Sequence, residues 1–192
     1  MDDNAQRVTD AGWEAAWAPY DTATYHAALN FLRADDVVLD IGAGDLRFAR
    51  QAATRARQVF AIERRADLLH GPRPSNLGVI CADALSVLFP SGITVGVLLM
   101  RHCRHFAGYV ARLRAVGCRR LITNARWGMD VECVSLAPQP PIAAAAPGWY
   151  ACLCGAVGFI LDAPEAITSE VLRRTQSLET CPACSMSLGL PA

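Results

Sequence analysis

The sequence predicts an α/β fold, a doubly wound and mostly parallel sheet followed by a small cysteine-bearing unit. Three observations carry that prediction. Short apolar runs ending in or next to an acid recur along the chain, closing at Asp40, Glu63 and Asp83, so that one strand and one helix fit between successive acids. The run ITVGVLLM (93–100) is apolar almost throughout, as a strand covered on both faces must be. The segments between the runs carry helical spacing instead of hairpin turns.

Taken in order, residues 13–33 begin with aromatics and end in a helix marked by Tyr25, Ala28, Leu29 and Leu32. A strand at 37–40 leads through Gly42 and Gly44 into a helix over about 45–57. Strands follow at 59–63 (VFAIE), 78–83 (GVICAD) and 93–100. FAGYVARLRAVG (106–117) is an amphipathic helix closed by Gly117, and 119–125 and 131–137 supply two more strands. WYACLC and AVGFIL form a strand pair around Gly155, and PEAITSEVLRRTQSL (164–178), with Pro near its start, predicts a helix.

A chain of 192 residues is long enough for one substantial core and a small appendage. Basic and acidic residues balance at 18 each, and every basic one is Arg, so no bulk electrostatic footprint of a nucleic-acid binder is present. The polar, acidic start MDDNAQRVTD is not a signal peptide, which leads us to expect a cytoplasmic protein. Residues 133–161 carry no charge, but Pro138, Pro140, Pro141 and Pro147 interrupt them, so they are not expected to enter a membrane. The expected division is a first domain over 1–137, a Pro/Ala-rich linker at 138–148 and a tail unit at 149–192.

The stretch VVLDIGAGDLRF (37–48) joins a strand to a helix through two glycines, an arrangement expected to offer bare backbone N–H groups. It is not a dinucleotide fingerprint, because the third glycine of G-x-G-x-x-G falls on Arg47. A P-loop is excluded by the absence of Lys. A pyrophosphate would want donors, not a crowd of carboxylates, whereas an acid after the second strand suits ribose hydroxyls and one after the third suits an exocyclic amine. The ligand expected is a nucleoside without phosphates.

VLDIGAGDLRFAR, VFAIE and CADAL together resemble the first three motifs of class I S-adenosylmethionine-dependent methyltransferases, over roughly residues 15–137. The chain departs from that pattern at Leu46, where the family usually has a third glycine. The resemblance implies a Rossmann-like fold with Asp40 near the methionyl amine and Gly42 and Gly44 under the cofactor. It further implies Glu63 on the ribose, Asp83 and the backbone around Ala84 at the adenine, and Arg101 and His102 facing the methionyl group and the acceptor. Tyr20, with Asp21 and Tyr25, lies where relatives lay a segment over the cofactor. His102 and His105 are the candidate general bases of the rim segment MRHCRHF. That segment lacks the (D/N)PP(Y/F) of amino-directed nucleic-acid methyltransferases, and Cys103 lacks the Pro-Cys context of a cytosine-C5 nucleophile.

Eight cysteines fall into two groups: four scattered singly, and four paired as Cys152-x-Cys154 and Cys181-x-x-Cys184. Two short thiol pairs can each clamp one edge of a tetrahedron, so a structural Zn2+ is expected, with two disulfides or free thiols as the alternative. The function expected is methyl transfer from S-adenosylmethionine to RNA, protein or a small molecule, RNA or protein being favoured by the zinc unit. The alternative is a non-catalytic adaptor that uses the zinc unit for partner contact.

Overall fold

A computed structural model of the chain describes residues 20–101, 103–126 and 130–187. The main body is the expected doubly wound α/β sheet, ordered β3-β2-β1-β4-β5-β6. Its strands are β1 (Val37–Ile41), β2 (Gln58–Glu63), β3 (Leu77–Cys81), β4 (Val95–Leu98), β5 (Arg120–Thr123) and β6 (Glu132–Ser135). All neighbours run parallel except β5 and β6. The order reverses between β1 and β4, which opens a crevice at their carboxyl ends.

Alternation along β1 feeds two cores. Val37, Leu39 and Ile41 face a layer containing Ile62, Leu98 and Leu121, under Phe106, Tyr109, Val110 and Leu113 of α3 (Phe106–Ala115). Val38 faces the other layer, where Val59, Val97 and Ile122 meet Ala28 and Leu29 of α1 (Thr22–Leu29) and Phe48, Ala49 and Ala52 of α2 (Arg47–Ala53). Gly96 is required by the close approach of α3, since a Cβ there would lie 2.6 Å from Leu113 Cδ1. At the opposite end of the sheet, Asp36 accepts from both Arg120 (2.6 and 2.8 Å) and Thr94 Oγ1 (2.8 Å), fastening β1 to β4 and β5.

The expected helices are shorter in the structure. α2 ends at Ala53 rather than near 57, because Arg57 N and Gln58 N already donate to Asp36 O and start β2. The helix expected over 164–178 forms only in its middle. A 3-10 turn (Pro164–Ala166) is followed by α4 (Ser169–Arg173), capped by Thr168 Oγ1. The chain then extends at Arg174 (φ −100°, ψ 137°) and forms β9 (Thr175–Leu178). Parallel pairing of β9 with β7 (Gly148–Cys152) and full burial of Leu178 outweigh the helical spacing.

The tail sheet is β8-β7-β9, with β8 (Val157–Ile160) antiparallel to β7. Leu153 is buried in the α3-side core of the main sheet, and Gly155 lies so near Phe106 that a Cβ would be 3.3 Å from its ring. Buried Arg126 donates to Ala151 O at 2.9 Å and holds the Glu132 carboxylate through Nε and Nη2. Arg114 donates to Leu136 O (2.7 Å) and to the Glu179 carboxylate. The Pro/Ala-rich stretch also runs along the tail, with Ile142 N donating to Thr180 O and Glu179 N to Pro140 O. Among the described residues, no helix is long and apolar enough to cross a membrane.

Candidate functional site

The carboxyl ends of β1, β2 and β4 converge on the Gly loop. Gly42 and Gly44 have φ of 73° and 53°, and Leu46, the residue in place of a third glycine, also has φ 64°. The backbone therefore keeps the left-handed shape that glycine would supply freely. Leu46 bears the strain, about 1–2 kcal/mol, because its side chain is fully buried between α1, α2 and the sheet. Leu46→Gly relieves the strain but empties that space, so we expect a net loss of about 2 kcal/mol, read by urea denaturation.

Four of the loop N–H groups expected to be bare are engaged within the fold. Gly42 N and Ala43 N both donate to Ile62 O (2.9 and 3.0 Å), Leu46 N donates to Ala43 O, and Gly44 N donates to Glu63 Oε2 at 2.9 Å. The Met100 side chain sits over Gly42, 2.7 Å from where a Cβ would be. With these four donors engaged, what the two glycines offer is close approach.

Glu63 is buried, and its other oxygen accepts from Arg65 N at 2.9 Å. Each of its oxygens keeps a second lone pair. Asp40 is 4% exposed, and its Oδ2 has no hydrogen-bond partner. Burial, reinforced by the nearby Glu63 charge, pushes its carboxyl up to about 7. An unfolded aspartate titrates near 4. The folded state therefore holds the extra proton between roughly pH 4 and 7, and stability from this group is full below that window and lost as pH rises through it. Asp40→Asn is expected to raise the melting temperature at pH 8 by several degrees and to flatten the pH dependence between 5 and 8. An unchanged profile in thermal denaturation would contradict it.

The other expected residues divide as follows. Tyr20 is brought to the crevice: its hydroxyl accepts from Arg101 N at 2.9 Å, and the Arg101 guanidinium lies 5.3 Å from its ring centroid. Tyr20 N in turn donates to Tyr25 Oη, and Asp21 caps α1 by accepting from Thr24 N. Asp83, just past β3, is exposed, accepts from Leu85 N at 2.9 Å and precedes buried Ala84. His105 is exposed at the start of α3 and makes no capping bond with its side chain. His102 lies outside the described residues.

Two residues were missed by sequence reasoning. Tyr109 of α3 is 6% exposed, and burial, with Cys103 and Asp83 nearby, raises its hydroxyl to about 12. Helical spacing marked it only as core. Asn124, the first residue past β5, is fully buried with neither Oδ1 nor Nδ2 partnered. No local signal in RRLITNA distinguishes it.

The four late cysteines converge. Cys152 ends β7, Cys154 directly precedes Gly155 (φ 95°) in a tight turn, and Cys181 and Cys184 bracket the start of α5 (Pro182–Ser187). Sulfur separations are 3.6 Å (Cys152–Cys184), 3.7 Å (Cys154–Cys181) and 3.9 Å (Cys181–Cys184), and all four lie within 4.8 Å of one another. These are not disulfide distances. A tetrahedral ion with bonds of about 2.3 Å places its sulfurs about 3.8 Å apart, so the donor set fits Zn2+. Ala156 N approaches Cys154 Sγ at 3.5 Å, the kind of donor that steadies a thiolate. Burial raises the Cys152 and Cys154 thiols, keeping them neutral until a cation compensates.

No family model and no curated protein matches this chain. Solved structures similar to it include a dimethyladenosine transferase from Plasmodium falciparum, 16% identical, covering 54% of this chain and 41% of that one at a TM-score of 0.46. A 23S rRNA methyltransferase, ErmE, is 25% identical and covers 54% and 46% at 0.44. A precorrin-8w decarboxylase from Methanobacterium thermoautotrophicum is 21% identical and covers 55% and 63% at 0.46. The matches thus span about half of this chain and less than two thirds of each of those proteins.

Proposed function

We propose that this chain is an S-adenosylmethionine-dependent methyltransferase with a structural zinc knuckle. The observation that carries the reading is the orphaned, buried Oδ2 of Asp40 beside the Gly loop. A buried carboxylate oxygen without a partner is costly unless a cationic ligand group completes it. A ligand with an ammonium group, two vicinal hydroxyls and an aminopurine, and no phosphate, matches Asp40, Glu63 and Asp83 in strand order.

In this reading Gly42 and Gly44 allow close approach, Ala84 flanks the base, and Tyr20 closes over the crevice on Arg101 N. When bound, the cofactor supplies an electrophilic methyl group. The protein aligns the acceptor with it, which by itself accounts for much of the acceleration in an in-line displacement. His105, at the start of α3, and His102, outside the described residues, are the candidate general bases, should the acceptor carry a proton. Cys152, Cys154, Cys181 and Cys184 would hold Zn2+ in a closed, all-thiolate site that stiffens the tail and takes no part in the chemistry.

The test is calorimetric titration with S-adenosylhomocysteine, followed by transfer of labelled methyl from S-adenosylmethionine onto cell-extract fractions. Binding with transfer supports an enzyme; binding without transfer onto any fraction points to an adaptor. Absence of binding overturns the reading.

A further inference from the structure

The even charge balance conceals an uneven distribution. Residues 20–137 hold fifteen Arg against ten Asp and Glu, while both flanking stretches are net acidic. Within that body, the connection from β4 to α3 (99–105, LMRHCRH) carries two Arg, two His and no acid. Arg64 and Arg104 are exposed and form no ion pair among the described residues, and the Arg101 guanidinium lies over the Tyr20 ring with the Asp21 charge nearby. Arg64 follows β2 and Arg101 and Arg104 follow β4, the two strands that flank β1. Two strand spacings are roughly 10 Å, wider than one phosphate group, so a small anion cannot bridge both sides of the crevice mouth but a polyanion can.

The second observation is independent of charge. Asn124 stands at the end of β5, beside β4, with its whole side-chain amide buried and unpartnered. Leaving a buried donor and acceptor unsatisfied is costly, so the pair is expected to meet a complementary edge. A nucleobase offers such an edge, and Asn reads it bidentately. Because Asn124 is closed off, the base must be unstacked to reach it, which a base held in a duplex is not.

We propose that the methyl acceptor is a nucleotide of a single-stranded nucleic acid, its phosphates on Arg64, Arg101 and Arg104 and its base edge on Asn124. The proposal rests on the methyltransferase reading and names its acceptor class.

The test uses the full-length zinc-loaded protein with S-adenosylhomocysteine present. Fluorescein-labelled single-stranded RNA and DNA oligomers are titrated by anisotropy between about 50 and 200 mM salt. We expect binding that weakens steeply with salt. Arg64→Gln with Arg104→Gln should weaken it at least tenfold and flatten the salt slope by about two contacts. Arg57→Gln, at the opposite end of β2, should leave it unchanged. Asn124→Leu should keep the salt slope but abolish discrimination among homopolymer oligomers. Preference for RNA or DNA then identifies the sugar. Absence of binding to both, equal competition by poly-glutamate, or an effect of Arg57→Gln matching that of the rim pair overturns the proposal. Calorimetry of S-adenosylhomocysteine on the same samples separates the two readings: intact cofactor binding with no oligomer binding sinks the acceptor assignment alone.

Discussion

Cys181→Ser is expected to release zinc and to lower the melting temperature by roughly 10 °C or more, a loss of at least about 3 kcal/mol. Cys181 is 1% exposed and within 3.9 Å of two other thiols, so a hydroxyl there leaves three sulfurs around an ion that needs four. The consequence should not stop at the tail. Leu153, between two of the ligands, belongs to the core under α3, Gly155 lies against Phe106, and Arg126 holds Ala151 O. Hydrogen exchange should therefore quicken over residues 149–187 and also at the start of α3, while β1 to β4 stay protected. One zinc per wild-type chain by elemental analysis, and none in the variant, is the required companion result. Zinc retained at full stoichiometry in the variant would defeat the assignment.

Glu63→Ala should weaken S-adenosylhomocysteine at least tenfold, the equivalent of about 2–4 kcal/mol for a lost charge-assisted pair of hydrogen bonds. The structure adds a cost in the free protein, since Gly44 N and Arg65 N both lose their acceptor. The apo variant should then melt earlier than wild type, because Glu63 shapes the loop before any ligand arrives. Glu63→Gln, which can still accept at one oxygen, should recover part of the apo stability but little of the affinity. Unchanged affinity in Glu63→Ala by calorimetry would remove the ribose role.

The parts legible in the sequence were those written in local chemistry. Apolar runs closed by Asp40, Glu63 and Asp83 located the strands, and paired thiols located the knuckle. What escaped depends on contacts far apart in the chain. Thr175–Leu178 reads as the end of a helix until β7 stands beside it. The loop N–H groups look free until Ile62 O and Glu63 are in place. Arg126 and Arg114 are two of eighteen arginines with no spacing to mark them, yet they join the tail to the main sheet. Asn124 is conspicuous only because nothing bonds to it.

The topology of the tail sheet also has a kinetic meaning. β7 and β8 form a local hairpin that needs no distant partner, and such hairpins close in about 1–10 μs. That hairpin already carries Cys152 and Cys154, whereas Cys181 and Cys184 arrive only when β9 docks in parallel after a long crossover. Parallel pairing across a crossover is the slower event. An ion can thus be caught first by two sulfurs and exchanged into four, with the half-site acting as a nucleus that draws the last strand home. Metal uptake should show two phases, and the rate of the second should follow the docking of β9, independent of the zinc concentration.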